Sequence, residues 1–377
     1  MVQYPSEKFA YKDAMTGAEV TRLTGVRAHS NHLYFTNNCF YDNGSKIVFE
    51  SDRGNALNFY SLDLISGEIE QLTDLFQPPY PREFPLHEAF VDNTQENFCF
   101  FYDNILYRLS LVDRSMVPIY RIPEGFFHHV ISISADGENV YTSITKYPLD
   151  RSNGDLPLID VLAKNPLSQI LRIPINGGKE TVIHEEEKFL AHVNISPTDN
   201  SVLTFCHEGP WSLVDHRLWF ANVDTKQVGK LHPCEKDEVI GHEYWYADGK
   251  RIGYHGRKNG IYQLGVINAD GTNDRVFEFP FETGHIFSQD ENLIVGDGSY
   301  DGRFLRLWQL QDDKYDMPRA LCTHNCSFKR QRAHVHPRIT PDGKSVLYTS
   351  DESGYEQLYL VRIPDDITAL PYLDSLL

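Results

Sequence analysis

Two histidines spaced two positions apart, His334 and His336, are the residues of this sequence best placed to do chemistry. If they lie on a β-strand, alternate side chains project from one face, so both imidazoles point the same way. Gln331 stands in the preceding turn, within reach of that face. Neutral imidazole is a common ligand of divalent transition metals. The segment therefore predicts a metal site.

A third imidazole, His285, comes from the preceding sequence repeat and is expected beside this pair. Three imidazoles with an amide or water oxygen form a neutral site that keeps positions open for a substrate. Such a donor set allows manganese, iron, nickel or zinc. A His-x-His pair alone is common in proteins, so the prediction depends on the convergence of all three rings.

Further histidines occur upstream of a turn in nearly every repeat, and two interpretations stay open for them. Imidazoles can simply cap strand ends through backbone hydrogen bonds. Alternatively, histidines at one level of seven repeats line a shared site, since only 16 of the 377 residues are histidine. The histidines whose role stays undecided are His29, His32, His87, His128 and His129.

The elements that must position these residues are short strands in a repeated unit. Residues 341–363 and 42–73 share one order of turn, strand, polar turn and strand, and their apolar residues alternate with period two. With these two, seven such turns occur along the chain at intervals of 42 to 63 residues, close to one four-stranded blade each. The sequence predicts an all-β, seven-bladed β-propeller with TolB-like (PD40) blades.

The ends of the chain predict how the propeller closes. Residues 16–24 (TGAEVTRLT) match the fourth-strand segment at 66–73 (SGEIEQLT), while the last repeat stops after its third strand. The N-terminal strand should therefore complete the last blade and cover its open edge. We expect one domain over residues 1–377, with an insertion at about 147–166 in the third blade.

Charge and composition exclude several classes of partner. The net charge of −18 argues against nucleic acid and against an acidic membrane surface, because both are bound by basic patches. The start of the chain has no apolar signal-peptide core, so we expect a cytoplasmic protein with reduced cysteines. Cys322 and Cys326 imitate a metal motif but lack further convergent ligands, which favours a structural role.

Three segments together resemble the oligogalacturonate (oligogalacturonide) lyases, a propeller family of polysaccharide lyases. They are residues 331–343 (QRAHVHPRITPDG), 241–254 (GHEYWYADGKRIGY) and 37–52 (NNCFYDNGSKIVFESD). The resemblance runs over the whole chain, and the Gln-x-x-His-x-His element is its most specific part. It implies a divalent metal, Mn²⁺ in this family, and an enzyme of pectin degradation.

The resemblance also implies roles for individual residues. The metal ligands would be His285, Gln331, His334 and His336. His242 would be the base and Arg217 the arginine near the substrate. Without the resemblance, Arg217 could equally be an exposed strand residue paired with Asp215, and His242 could be strand-end packing. The arginine would neutralise a carboxylate or assist departure of the C4 oxygen.

The implied reaction is β-elimination in short oligogalacturonides, releasing 5-keto-4-deoxyuronate. It removes the weakly acidic proton on C5, next to a carboxylate, so a metal that polarises the carboxylate and a neutral histidine base fit the task. We also expect His87, His192 and Trp245 to contact the substrate. For the two histidines, the alternative is that they recur only because the blades share a repeated sequence, without contacting substrate.

Two other functions fit the fold class. A non-catalytic TolB-like propeller would bind a protein or peptide partner and would hold no metal. The propeller of a prolyl-oligopeptidase-type enzyme needs an attached hydrolase domain, and this sequence contains no G-x-S-x-G nucleophile motif. The convergent histidines favour the lyase over both.

Overall fold

The computed structural model describes residues 2–75, 88–146, 158–210, 214, 216–280, 282–299 and 302–377. Two compact units divide the chain: Met1–Leu86 with Phe277–Leu377, and His87–Val276. The prediction of one domain over residues 1–377 stays a prediction. Among the described residues, no helix is long and apolar enough to cross a membrane.

The first unit begins with short strands that end at turns of Gly, Asp and Asn. They are β1 (Gln3–Tyr4), β2 (Phe9–Lys12), β3 (Glu19–Arg22), β4 (Ser30–His32), β5 (Phe40–Tyr41), β6 (Lys46–Ser51), β7 (Asn58–Asp63) and β8 (Ile69–Gln71). Asp42 and Asn43 have positive φ angles in the turn before β6, which their short polar side chains tolerate.

The second unit contains the next sixteen strands of the described residues and one short helix. They are β9 (Ala89–Val91), β10 (Asn97–Tyr102), β11 (Ile105–Ser110), β12 (Met116–Arg121), β13 (Phe126–Ile133), β14 (Asn139–Lys146), α1 (Leu158–Leu162), β15 (Ser168–Pro174), β16 (Thr181–Glu186), β17 (Leu190–Ile195), β18 (Val202–His207), β19 (Leu218–Asn222), β20 (Val228–Lys230), β21 (Glu238–Trp245), β22 (Arg251–Lys258), β23 (Ile261–Asn268) and β24 (Arg275–Glu278).

The first unit then continues to the end of the chain. Its remaining strands are β25 (Ile286–Phe287), β26 (Leu293–Gly296), β27 (Phe304–Gln311), β28 (Lys314–Tyr315), β29 (Arg319–Thr323), β30 (Arg338–Ile339), β31 (Ser345–Ser350) and β32 (Gln357–Arg362). Its described 3-10 helices are Gln331–Ala333, Ile367–Ala369 and Leu373–Ser375.

These strands form seven antiparallel sheets within the described residues, numbered here as blades in chain order. Blades two to five lie in the second unit and have the orders β12-β11-β10-β9, β13-β14-β15-β16, β17-β18-β19-β20 and β21-β22-β23-β24. Blades one, six and seven lie in the first unit, with the orders β1-β8-β7-β6-β4, β25-β26-β27-β28 and β2-β3-β32-β31-β30. In addition, β5 pairs with β6, and β29 pairs with β27. The predicted fold class, an all-β seven-bladed propeller, is confirmed.

The predicted closing strand is also confirmed. Strand β3 pairs with β32 through Val20 opposite Val361 and Arg22 opposite Tyr359. Strand β2 adds outside β3, so the N-terminal segment gives the last blade two strands rather than one. The edge of β32 is therefore paired, as the matching TGAEVTRLT segment predicts.

The central strands of the blades are buried on both faces, which the period-two prediction did not anticipate. Strands β6, β18 and β31 each have five consecutive buried residues. Within the second unit, the reason is that sheets of neighbouring blades pack against each other. Between blades two and three, for example, Phe101 and Leu106 pack in one cluster with Ile131 and Leu171. Each such side chain contributes about 1.5–3 kcal/mol.

The insertion predicted at 147–166 falls partly outside the described residues, at 147–157. Its described part is α1, between β14 and β15 of blade three. Val161 of this helix packs in a buried cluster with Phe189, Ala191 and Cys206. The insertion thus reaches the innermost strand of blade four, which carries His192.

A buried histidine links blades four and five. Nδ1 of His232 lies 2.6 Å from Oδ2 of Asp274, and Nε2 lies 3.2 Å from Oε1 of Glu238. Burial alone would lower the pKa of His232, but the hydrogen bond and charge of Asp274, together with Glu238, raise it above 6.5. Burial likewise opposes ionisation of Asp274, but hydrogen bonds from His232 and Tyr254 lower its pKa below 3.8.

We expect this contact to make stability depend on pH in a defined direction. A raised folded-state pKa means that His232 contributes fully below the unfolded value of 6.5 and less as pH rises through the folded value. At about pH 5.5, Asp274→Asn should therefore lower the free energy of unfolding by about 1.5 kcal/mol, and by less at about pH 8.5. Urea unfolding at both pH values measures this. In a His232→Gln background the pH-dependent part should vanish; an equal loss at both pH values would contradict the assignment.

Candidate functional site

Three buried histidines of the first unit converge. The candidate ligand atoms of His285, His334 and His336 all lie within 4.8 Å of one another. The ring centroid of His285 lies 5.4 Å from that of His334 and 4.4 Å from that of His336. Exposed fractions are only 5%, 8% and 1%, respectively. The three imidazoles predicted as metal ligands are therefore brought together.

The backbone that carries the pair differs from the prediction. His334 and His336 do not lie on a strand; they occupy an irregular segment between the 3-10 helix Gln331–Ala333 and β30. His336 has a φ angle of 46°, in the left-handed region, so the alternation of an extended strand does not apply. The prediction of a His-x-His on a strand is wrong, although the two rings still converge.

A buried carboxylate orients His285. Oδ2 of Asp297 lies 2.7 Å from Nδ1 of His285, and Oδ1 accepts the backbone N–H of the same residue at 2.8 Å. Burial would raise the pKa of Asp297, but the charge and hydrogen bonds of His285 lower it, so the group is a carboxylate. Since a carboxylate only accepts, Nδ1 carries the proton and Nε2 is the ligand atom. Asp297 was missed from sequence; its only signal is the Gly-Asp-Gly at the end of β26.

His32 supports the backbone of the same segment. Its Nε2 donates to the carbonyl oxygen of His336 at 2.8 Å, and its Nδ1 lies 2.8 Å from Oγ1 of Thr349. Burial lowers the pKa of His32 to about 4, so the ring is neutral. His32, whose role the sequence left open, therefore supports the backbone of the segment that carries His334 and His336.

Gln331 begins the 3-10 helix Gln331–Ala333, but its side chain lies outside the described residues. Its neighbour Arg332 is held in place. Nη2 of Arg332 lies 2.6 Å from Oε1 of the buried Glu50, and Asn31 donates from Nδ2 to the Arg332 carbonyl oxygen at 2.9 Å. These contacts fix the turn that contains Gln331.

In the second unit, His242 lies at a β-bulge of β21. Gly241 pairs with His255 and Tyr244 with Gly253, so two residues, His242 and Glu243, oppose one residue of β22. His242 has a φ angle of 51° and is half-buried. Its Nδ1 lies 3.0 Å from Nε2 of the buried His255. Bulges re-aim side chains and are frequent beside active sites.

The same bulge recurs in three successive blades. The register shifts after His128 in β13, after Ala191 in β17 and after Gly241 in β21. The first residue of each bulge is a histidine, namely His129, His192 or His242. The histidine repeat thus reflects a repeated backbone feature, which the sequence does not reveal because a bulge leaves no distinct pattern.

Arg217 is buried, with 6% of its surface exposed, and lies immediately before β19. Its Nε donates to Oε2 of Glu243 at 3.2 Å, and its Nη1 donates to Oε1 of Glu208 at 3.3 Å. The interpretation of Arg217 as an exposed strand residue is therefore wrong, and its pairing with Asp215 is not tested because Asp215 lies outside the described residues. Glu208 and Glu243 were both missed from sequence.

His192 joins this network through Glu208. Its Nε2 lies 3.1 Å from Oε2 of Glu208, and its φ angle is 49°. Burial would raise the pKa of Glu208, but Arg217 and His192 lower it well below its usual value. In the second unit, Arg217 thus lies between Glu243 and Glu208, and Glu208 also contacts His192.

A family model described as oligogalacturonate lyase matches residues 3–367. The chain belongs to the oligogalacturonate lyase family. It is 30% identical to the oligogalacturonide lyase of Pectobacterium atrosepticum and 29% identical to the oligogalacturonate lyase of Dickeya dadantii. Each alignment covers 95% of this chain and 96% of the relative.

Solved structures agree with this family. An oligogalacturonate lyase in complex with manganese has a TM-score of 0.86 and 28% identity, over 97% of this chain and 98% of its own. The oligogalacturonate lyase of Vibrio parahaemolyticus has a TM-score of 0.87 and 26% identity over the same shares. The chain is therefore an enzyme, a lyase of the pectin-degrading class. The alternative of a non-catalytic TolB-like propeller is set aside.

The residues present in this lyase fit a divalent transition metal. The donor set consists of imidazoles, which suit such ions, and it carries no charge of its own. Burial, followed by the neighbouring His285, lowers the pKa of His334 to about 4, and a neutral ring is the form that binds a metal. Asp297 supplies the carboxylate partner that metal-binding histidines commonly have.

A second cluster, of His192, Cys206 and Glu208, has ligand atoms at similar spacing but different chemistry. Burial raises the pKa of the Cys206 thiol well above its usual value, so this group is no thiolate. The positively charged Arg217 already contacts the Glu208 carboxylate. Both facts disfavour a cation here.

The structure treats the remaining predicted substrate contacts differently from one another. His87 lies outside the described residues. Trp245 packs beside the core cluster of Leu218 and Ile240, and its Nε1 donates to the Asn194 carbonyl oxygen at 2.9 Å. That placement favours packing over substrate contact for Trp245. His128 lies 3.1 Å from Oε1 of Glu88.

Three other sequence features are also resolved. Nε2 of His129 lies 2.9 Å from Oγ1 of Thr145, and His29 contacts Glu356. Cys322 and Cys326 are free and buried, as the structural interpretation predicts. A groove of about 930 Å³ in the second unit is lined by turns such as those of Asp136 and Asp248, and contains none of the predicted site residues.

Proposed function

We propose that this chain is a metal-dependent lyase that cleaves short oligogalacturonides by β-elimination and releases 5-keto-4-deoxyuronate. The observation that carries the proposal is the convergence of His285, His334 and His336 within 4.8 Å. The family supports the lyase chemistry, and the manganese complex of a relative supports Mn²⁺ as the ion.

A divalent ion held by His285, His334 and His336, with Gln331 as the proposed fourth ligand, would supply Lewis-acid polarisation of the uronate carboxylate. With the ion bound, the C5 proton beside that carboxylate would be acidic enough for a side-chain base. Asp297 holds Nδ1 of His285 and thereby turns Nε2 toward the other two rings. The chain thus preorganises its ligands before any substrate arrives.

His242 is the proposed base. The left-handed backbone at the β21 bulge fixes its direction, and the ring is half-buried rather than closed off. A neutral imidazole accepts a proton readily, which suits a general base. Its Nδ1 is engaged by His255, so Nε2 is the proposed acceptor of the C5 proton.

Arg217 is proposed to hydrogen-bond the substrate rather than to attract it by charge. Glu208 and Glu243 already offset its positive charge. They also fix the plane of the guanidinium, and Nη2 donates to no described residue. We infer that Nη2 meets a uronate carboxylate or the departing C4 oxygen. With a net charge of −18, short oligomers are favoured over long polyanionic chains.

Metal removal tests the proposed function. Saturated and unsaturated digalacturonate are incubated with the full chain, and products are identified by mass spectrometry. After chelation and dialysis, with metal loss verified by elemental analysis, we expect activity to fall at least about 100-fold and to return with Mn²⁺. Ca²⁺ is the control, because it selects oxygen ligands and should not restore activity.

The product masses decide the reaction type. Elimination gives fragments whose masses sum to that of the substrate, whereas hydrolysis adds one water. Fragments that include a water would exclude β-elimination. Full activity of verified metal-free protein would exclude metal dependence.

A further inference from the structure

His255 makes a contact that the proposed reaction does not yet explain. Its Nε2 lies 3.0 Å from Nδ1 of His242, and the ring planes are inclined by only 18° at a centroid distance of 5.2 Å. His255 is 6% exposed, whereas His242 is half-buried. The buried ring thus stands behind the accessible one.

The strands hold His255 rigidly. It lies in the centre of β22 and pairs with Gly241 on one side and Leu264 on the other. The next residue, Gly256, permits close approach of the two strands, since a Cβ there would overlap the Val239 carbonyl oxygen. A ring mounted on a central strand is better fixed than a ring on a loop, so His255 is suited to orient another group.

The hydrogen bond between the two rings has two states with opposite consequences. If His242 donates from Nδ1, its Nε2 carries a lone pair and is a base. If His255 donates from Nε2, then His242 carries its own proton on Nε2 and is no base. The proton location on the inner ring therefore decides whether the outer ring can act.

We propose that His255 is a positioning residue that accepts the Nδ1 proton of His242 and thereby keeps Nε2 basic. The inference rests on the proposed function, in which His242 takes the C5 proton. When Nε2 of His242 gains that proton, the same hydrogen bond stabilises the imidazolium, because its Nδ1–H still points at a neutral acceptor. His255 touches no substrate in this role.

Two substitutions at His255 separate positioning from packing. His255→Phe keeps an aromatic ring but removes the acceptor, and His255→Gln replaces the ring by an amide oxygen that can accept from Nδ1. We expect His255→Phe to lower kcat on the order of 100-fold with little change in KM. His255→Gln should recover kcat to within about tenfold of the wild type. His184→Phe, at a half-buried histidine of β16 outside this machinery, is the matched control.

The tautomer of His242 gives a readout independent of turnover. In ¹⁵N-histidine-labelled full-length protein, the shifts of Nδ1 and Nε2 report which nitrogen carries the proton. We expect a protonated Nδ1 on His242 in the wild type and in His255→Gln, and a mixture of tautomers in His255→Phe. A merely structural role for His255 would not predict recovery by Gln in both measurements.

Two results would overturn the inference. One is a His255→Phe protein with wild-type kcat and an unchanged His242 tautomer. The other is a His242 that carries its proton on Nε2 in the wild-type protein. Failure of the proposed function looks different: the wild-type protein would form no elimination product, whereas the tautomer measurement would still decide the acceptor role of His255.

Discussion

Replacing His242 by Asn should lower kcat for digalacturonate cleavage by about 10³-fold while leaving metal binding unchanged. General base catalysis contributes about 10²- to 10⁴-fold, and the amide of Asn is too weakly basic to accept the proton. Asn is the substitution of choice because His242 has a φ angle of 51°, and Asn tolerates the left-handed region better than Ala. Loss of kcat would then reflect chemistry rather than backbone strain.

His192 offers the matched control for this substitution. It occupies the same bulge position in blade four and has a φ angle of 49°. His192→Asn should change KM more than kcat, because the residue is proposed to contact the substrate. Steady-state kinetics with Mn²⁺ in excess measures both. Equal kcat for His242→Asn and wild type would remove His242 as the base.

Much of the fold could be predicted because it repeats. Each blade carries a turn, and the match between residues 16–24 and 66–73 led directly to the pairing of β3 with β32. The buried central strands were harder, since a strand covered on both faces loses its alternation. Strand β18 is one example, with apolar and polar residues buried alike.

The sequence predicted which histidines converge at the candidate metal site, but not the backbone conformation that carries them. The convergence of His285 with His334 and His336 follows from neighbouring repeats. The rings come together, however, on a backbone that is left-handed at His336. The residue types in this segment do not predict that conformation. The β-bulge at His242 could not be predicted either, because the extra residue of a bulge has no distinctive sequence pattern.

Partners from neighbouring strands were the least predictable part. His255 meets His242 only because β21 and β22 pair in one particular register. Glu208 and Glu243 surround Arg217 from two different blades, so sequence distance gives no clue. The positive charge of this buried arginine is therefore offset by two carboxylates that the sequence does not place beside it.

The metal site allows a graded test of ligands and their support. His334→Ala removes one of three imidazoles and should weaken Mn²⁺ binding more than 100-fold, with activity lost in parallel at limiting metal. Asp297→Asn keeps all three imidazoles but removes the carboxylate that orients His285. Partners of this kind typically contribute about 10- to 100-fold in metal affinity. Asp290→Asn, in the turn of the same blade, should bind Mn²⁺ as the wild type does.

Calorimetric titration of the metal-free chain with Mn²⁺ measures all four proteins on one scale. The expected order of affinity is wild type and Asp290→Asn, then Asp297→Asn, then His334→Ala. The order carries the argument, because a general loss of folding would affect His334→Ala and Asp297→Asn without regard to their roles. If both variants bound Mn²⁺ as the wild type does, the ion would have to lie elsewhere, and the three histidines would be packing. A deficit of Asp297→Asn that excess Mn²⁺ restores to full activity would show that Asp297 orients a ligand and takes no part in the elimination itself.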